Sequence, residues 1–102
     1  MYILNITFLV ARDAVNQWND WISSSFIPSI IATGHFNSPQ LARVHTPSDD
    51  EGLSYALQFR TEHLHAIDRW LSTGGASLQQ VCTGRFNGNV LFFATTLEVI
   101  SH

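Results

Sequence analysis

The sequence has 102 residues, of which 45% are hydrophobic and 13% are charged, and its formal net charge at pH 7 is −3. This length predicts a single domain over residues 1–102. The five basic residues are all arginines and are scattered, which excludes Schiff-base chemistry through lysine and argues against nucleic-acid binding. The single cysteine, Cys82, has no partner for an intramolecular disulfide and is typical of a reducing compartment.

The N-terminal residues lack the features of a secretory signal. Residues 1–10 contain no basic segment and no small-residue cleavage site. No apolar run approaches the ~20 residues that a membrane-spanning helix requires. The sequence therefore predicts a cytoplasmic protein with no membrane partner.

The first half of the chain predicts a strand followed by a helix. Residues 2–10 form an apolar, β-branched and aromatic run, which indicates a strand covered on both faces. A helix is predicted from Arg12, because apolar residues then recur at i, i+3, i+4 and i+7. We expect this helix to bend near Phe26, since Pro28 removes a backbone donor, and to end at Gly34.

The second half predicts a hairpin, a helix and a last strand. The predicted boundaries are 40–46 and 53–60 for the hairpin strands, 47–52 and 86–89 for two turns, and 90–100 for the last strand. Thr61 is the predicted N-cap of the helix. Gly74 and Gly75 are expected to interrupt that helix, because each glycine costs about 1 kcal/mol in a helix interior.

The order β-α-β-β-α-β predicts an α+β, ferredoxin-like fold. In this fold an antiparallel four-stranded sheet carries both helices on one face. The other face of the predicted sheet has too many apolar residues to remain in water. Two such sheets packed face to face would bury them, so we expect a homodimer through the open sheet face.

A series of segments in a fixed order characterises the chain. They are the opening strand, the Trp-x-x-Trp pair of Trp18 and Trp21, Ile27–Pro28, Ala32-Thr33-Gly34-x-Phe36, and the segments 55–59 and 96–100. Together they resemble a bacterial family of about this length that is known as a domain of unknown function. The resemblance covers nearly the whole chain and implies a ferredoxin-like, dimeric α/β barrel without assigning an activity.

The chain is also distantly similar to the antibiotic-biosynthesis-monooxygenase-like group of barrels. That group includes cofactor-independent monooxygenases, haem-degrading enzymes and muconolactone-isomerase-like proteins. The resemblance places Phe26 where the family usually has histidine and Ala94 where it often has arginine. Both residues lack a side-chain hydrogen-bond donor. The resemblance therefore implies that any chemistry at these positions is lost or altered in this chain.

Polar residues on the predicted strands form a candidate ligand site. The candidate residues are Asn5, Arg43, His45, Gln58 and Glu98 on the strands, together with Phe26 and His35, which are expected on the rim of a pocket mouth shaped by the bend at Pro28. The strand residues would converge on a small polar or anionic ligand if they share the face away from the helices, with Glu98 as a base if an apolar cavity raises its pKa. Alternatively, they satisfy one another across the dimer interface. The register of the strands decides which residues face the cavity, because a slip of one residue moves a whole alternating set to the other face of the sheet.

The sequence predicts no metal site and no cofactor. There is one cysteine, no two histidines are four residues apart, and His63 and His65 are expected on different sides of a helix. Two functions remain open. One is a non-catalytic small-molecule-binding or structural protein, and the alternative is a cofactor-independent monooxygenase- or isomerase-like enzyme that acts in the barrel cavity.

Overall fold

The computed structural model describes residues 1–45 and 52–101 of the chain. These residues form four strands: β1 (Tyr2–Val10), β2 (Asn37–Val44), β3 (Leu53–Thr61) and β4 (Val90–Glu98). The α-helices are α1 (Val15–Trp21), α2 (Ile27–Ala32) and α3 (Leu64–Gly84). No helix within the described ranges is long and apolar enough to cross a membrane.

The strands form one antiparallel sheet in the order β2-β3-β1-β4. The central strand β1 alternates between its two faces. Its even-numbered residues from Leu4 to Val10 are fully buried, whereas the odd-numbered residues between them are half-buried. Helices therefore cover the first face, and the second face lies away from them. This arrangement confirms the predicted α+β, ferredoxin-like fold.

The irregularity expected near Phe26 takes the form of a π-turn. Residues 12–32, called here the N-terminal helical segment, comprise a short 3₁₀ turn, α1, a π-turn at Ile22–Phe26 and α2. In the π-turn the Ile27 N–H donates to the carbonyl of Ile22. The wider turn accommodates Pro28, which has no N–H and whose ring would crowd a regular α-turn. Gly34, with φ of 80°, ends the segment as predicted.

Helix α3 runs without a break through Gly74 and Gly75, so the predicted interruption is wrong. The reason lies in the indole ring of Trp70, which covers the backbone of Gly74. A β-carbon at Gly74 would overlap this ring, standing 2.8 Å from Cε2 and closer still to Nε1. Gly74 therefore provides room for the indole ring, and the packing of Trp70 against Gly74 stabilises the helix at this point.

Further boundaries differ from the predicted ones. His63, not Thr61, is the N-cap of α3; Thr61 ends β3, and its hydroxyl accepts a hydrogen bond from the His63 N–H at 3.1 Å. Strand β2 was predicted to start at residue 40 but starts at Asn37. A bulge between Asn37 and Gln40, with Ser38 at φ of 54°, interrupts the pairing of β2 with β3. The predicted turn over 47–52 lies outside the described residues except for Gly52.

The turn predicted over 86–89 is confirmed. Asn87 and Gly88 both have positive φ angles, of 52° and 77°. The Gly88 N–H donates to the carbonyl of Cys82 at 3.0 Å, and the Asn89 N–H donates to that of Phe86 at 2.8 Å. This turn directs the chain from α3 into β4 along the edge of the sheet.

Candidate functional site

The register of the sheet brings two of the predicted site residues together. Asn5 pairs with Gln58 across β1 and β3, on the face away from the helices, which we call the open sheet face. The Gln58 amide donates to Asn5 Oδ1 at 3.1 Å, and Asn5 Nδ2 donates to Thr7 Oγ1 at 3.2 Å. These three side chains form a hydrogen-bonded polar centre on the open sheet face.

Arg43, His45 and Glu98 do not join this centre, because Arg43 and Glu98 do not meet the condition for convergence, a shared face away from the helices. Arg43 pairs with Tyr55, whose ring packs on Trp18 in the core, and this places Arg43 on the helix side of β2. His45 follows β2 and is exposed.

Glu98 pairs with Tyr2 and shares the helix side of β4 with Phe92 and Ala94. Strands β2 and β4 are opposite edges of the sheet, so Glu98 is separated from Arg43 by the full width of the sheet. The cause is core packing, since Leu41 on β2 and Phe92 on β4 must face the helices.

The open sheet face is mainly apolar beyond its polar centre. Its large apolar residues are Ile3, Leu9, Leu91, Phe93 and Leu97. Leu91 is 59% exposed and Phe93 is 63% exposed, which is unusual for such large side chains on a sheet. Arg60 is the sole ionisable residue among the described strand residues of this face. The open sheet face thus combines an apolar stripe on β1 and β4 with a neutral polar centre.

The remaining two candidates, Phe26 and His35, lie apart from the open sheet face. Phe26 is buried and stacks on Trp21, with ring centroids 5.2 Å apart and an interplanar angle of 27°. His35 is exposed in the loop after Gly34, and its backbone N–H donates to Thr33 Oγ1 at 3.3 Å. Phe26 is therefore part of the core, whereas His35 lies on the surface.

A groove separates the N-terminal helical segment from α3, and sequence reasoning missed it. This interhelical groove has a volume of about 380 Å³. Its lining residues are Trp21, Phe26, Ser29, Ile30, Thr33, Trp70, Thr73, Gly74, Ser77, Leu78 and Val81. The available signal was Gly74 four residues after Trp70, because positions i and i+4 share one face of a helix.

The Cys82 thiol is a titratable group whose pKa is clearly shifted. Burial raises the pKa of the Cys82 thiol to about 11, which keeps it protonated and unreactive at neutral pH. Within residues 1–45 and 52–101, no group of three or more His, Cys, Asp or Glu side chains is arranged so that it could hold a metal ion. His63 and His65 lie on the same side, with ring centroids 5.3 Å apart, because His63 precedes the helix in an extended conformation.

Comparisons with known proteins identify a family and a fold. Residues 1–100 match the sequence model of a family described as Domain of unknown function (DUF4286), and no curated protein matches the chain. The chain is similar to a dimeric ferredoxin-like protein from an uncultured marine organism, with 10% identity, a TM-score of 0.67, and 99% and 96% of the two chains covered.

Two further solved structures have the same fold. One is a protein from Deinococcus radiodurans named for antibiotic biosynthesis monooxygenases, with 12% identity, a TM-score of 0.64, and 100% and 95% of the two chains covered. The other is an MhuD variant with two manganese protoporphyrin IX molecules bound per active site. It has 16% identity, a TM-score of 0.66, and 100% and 97% coverage. At these identities the similarities establish the fold.

Proposed function

From the premise that the chain belongs to the DUF4286 family, whose description gives no activity, we propose that the protein is a homodimer joined through its open sheet faces, and that it serves a structural or small-molecule-binding role without catalysis. The observation that carries this proposal is the exposure of Leu91 and Phe93 on β4. Large apolar side chains so exposed on one sheet face are typical of an interaction surface.

The size of the open sheet face suits a stable dimer. Four strands about 4.8 Å apart, each up to nine residues long at about 3.3 Å per residue, cover roughly 570 Å² in projection. The accessible area of a corrugated face is larger than its projection. A standard protein interface buries about 800 Å² on each partner. Two structural neighbours described as dimeric ferredoxin-like proteins support the formation of a dimer.

The polar centre suits a specificity role within such an interface. Asn5, Thr7 and Gln58 satisfy part of their hydrogen-bonding capacity among themselves. Each primary amide retains a second N–H, and these donors can bond across a two-fold axis. Because unpaired buried amides are costly, alternative registers of the two sheets would be disfavoured.

We propose the absence of catalysis because of the kinds of side chain that the open sheet face carries. General acid–base catalysis needs a titratable group near the reacting atoms. The polar centre offers amides and one hydroxyl, while Glu98 lies on the other side of the sheet. The enzyme alternative is supported by the structural similarity to the neighbour named for monooxygenases. Phe26 and Ala94, which replace the histidine and arginine expected from the family resemblance, count against it.

The test compares Phe93→Asp with the control Leu71→Asp. Leu71 is 42% exposed on α3, away from the open sheet face. Burying the exposed part of Phe93 contributes roughly 1–2 kcal/mol per subunit to the free energy of dimerisation. Two-fold symmetry doubles this contribution, because both subunits bury the same residue. Sedimentation equilibrium should give a dimer for the unmodified protein and for Leu71→Asp, and at least a roughly 100-fold weaker dimer for Phe93→Asp.

A monomeric unmodified protein at tens of micromolar would overturn the proposal, as would a Phe93→Asp dimer of undiminished affinity. Native mass spectrometry of the same samples separates the two roles left within the proposal. Extra mass that leaves with dissociation of the dimer indicates a ligand held between the sheets, and a bare dimer indicates a structural role.

A further inference from the structure

The interhelical groove lies on the opposite side of the molecule from the proposed dimer interface. Its lining residues belong to the N-terminal helical segment, to Thr33 directly after it, or to α3, and none of them belongs to the sheet. Its volume of about 380 Å³ falls in the range of roughly 300–1,000 Å³ that is common for small-molecule sites. Any ligand in the groove would therefore be held by one subunit and would leave the open sheet face free.

Aromatic rings form the walls of the interhelical groove. Trp21 and Phe26 stack on one side, with an interplanar angle of 27°. Trp70 stands on the other side, with its Nε1 edge over the bare backbone of Gly74. A flat molecule placed between them would contact aromatic rings from both helices. Such contacts contribute more than their buried area alone because ring quadrupoles favour offset stacking.

The polar groups of the groove determine which ligands it accepts. Among the residues that the structure describes, no arginine, aspartate, glutamate or histidine lines it. The hydroxyl groups of Ser29 and Thr33 each donate to a backbone carbonyl at 2.7 Å, and Thr73 does so at 2.9 Å. Their oxygens can still accept hydrogen bonds. The groove therefore offers nothing to neutralise a ligand charge, and burying an unpaired charge is costly.

We propose that the interhelical groove binds a neutral aromatic small molecule, one to three fused or linked rings in size, that carries a hydrogen-bond donor. The rings would pack between Trp21 and Trp70, and the donor would bond to a hydroxyl oxygen of the helices. This proposal is independent of the dimer, since neither the walls nor the polar groups involve the sheet.

N-phenylnaphthylamine is a suitable probe, because it is neutral, has aromatic rings, carries one N–H donor and fluoresces strongly only in apolar surroundings. Its anionic counterpart is anilinonaphthalene sulfonate, which adds a sulfonate to a similar ring system. We expect saturable binding of the neutral probe to the full chain, with a dissociation constant at least tenfold lower than that of the sulfonate. Equal affinities, or no saturable binding of the neutral probe, would overturn the proposal.

Two neighbouring exposed residues of α3 provide a matched pair of variants. Ser77 lines the groove and Ala76 does not, and both are exposed, so phenylalanine at either position leaves the core intact. Ser77→Phe should weaken binding of the neutral probe at least tenfold, whereas Ala76→Phe should leave it within twofold. Unfolding curves of both variants confirm that they are folded.

Three results would refute the assignment of the probe to the groove. Ser77→Phe could bind the probe as tightly as the unmodified protein, or Phe93→Asp alone could abolish binding, which would place the probe on the open sheet face. A higher oligomer that Ser77→Phe reduces to a dimer would mean that another copy of the chain occupies the groove. The oligomer is measured by sedimentation, so failure of this proposal is distinguishable from failure of the proposed dimer.

Discussion

Gly74 and Gly75 are neighbours in α3, and alanine at the two positions should change the free energy of unfolding in opposite directions. In an exposed helix interior, replacing glycine by alanine contributes up to about 1 kcal/mol. At Gly75 the nearest atom to an added β-carbon is the Trp70 carbonyl oxygen at 3.9 Å, so Gly75→Ala should gain most of this amount. At Gly74 the added carbon overlaps the indole of Trp70.

The overlap at Gly74 forces the Trp70 ring, which is only 8% exposed, out of its position. Overpacking of this kind costs roughly 1–3 kcal/mol, so the net effect of Gly74→Ala is a loss of up to about 2 kcal/mol. The two variants should therefore differ by about 1–3 kcal/mol. Urea unfolding followed by far-ultraviolet circular dichroism measures this difference through the midpoint and the slope.

A double-mutant cycle identifies the indole ring as the cause. In a Trp70→Leu background the overlap is gone, and Gly74→Ala should then stabilise the protein about as much as Gly75→Ala does. If Gly74→Ala is stabilising in the unmodified protein, an added β-carbon does not displace the indole ring of Trp70 at a cost, and the reasoning is refuted. If it stays destabilising beside Trp70→Leu, the strain arises elsewhere.

Two further predictions concern buried residues of the helical layer. Phe26→His, which restores the residue expected from the family resemblance, should cost roughly 2–4 kcal/mol in urea unfolding because it removes the stacking on Trp21 and buries a polar ring; Phe26→Leu should cost less, and an equal cost would contradict this reasoning. The Cys82 thiol should react with a disulfide reagent at pH 8 on the order of 100-fold more slowly in the folded than in the unfolded protein, because its pKa is raised to about 11 from 9.0. Since the folded protein favours the neutral thiol, the free energy of unfolding should be unaffected by this group below pH 9 and should decrease between pH 9 and 11, and Cys82→Ala should lack this dependence.

The order of the elements was predictable because turn residues and periodicity act locally. Strand β1 and the Gly34 and Asn87–Gly88 positions need only their own sequence to be identified. The continuity of α3 was not predictable from propensity, since the cost of two glycines is offset by the burial of one tryptophan. Tertiary packing outweighs propensity at such a site.

The candidate site was predicted poorly because alternation does not say which face of a strand meets the core. On β1 both alternating sets are largely apolar, so the sequence of that strand leaves the choice open. On the edge strand β2, Leu41 has the same alternation as Arg43, so orienting this strand by its large apolar residue would have assigned Arg43 to the helix side. On β4 the large apolar residues Leu91, Phe93 and Leu97 lie on the face opposite to Phe92 and Glu98, so the alternation of that strand leaves the side of Glu98 undecided.

The two positions that depart from the family resemblance share one side of the sheet, and this separates two possible roles of the molecule. Phe26 packs within the helical layer, with its ring 6.5 Å from that of Phe8, and Ala94 pairs with Ile6 on the helix side. A histidine and an arginine there would put polar groups under the helices. In this chain an aromatic ring and a methyl group fill the space, so the contacts at these positions are apolar. The apolar stripe on β4 lies on the other side and is unaffected by that exchange. The proposed dimer through the open sheet faces therefore does not depend on the residues at these two positions.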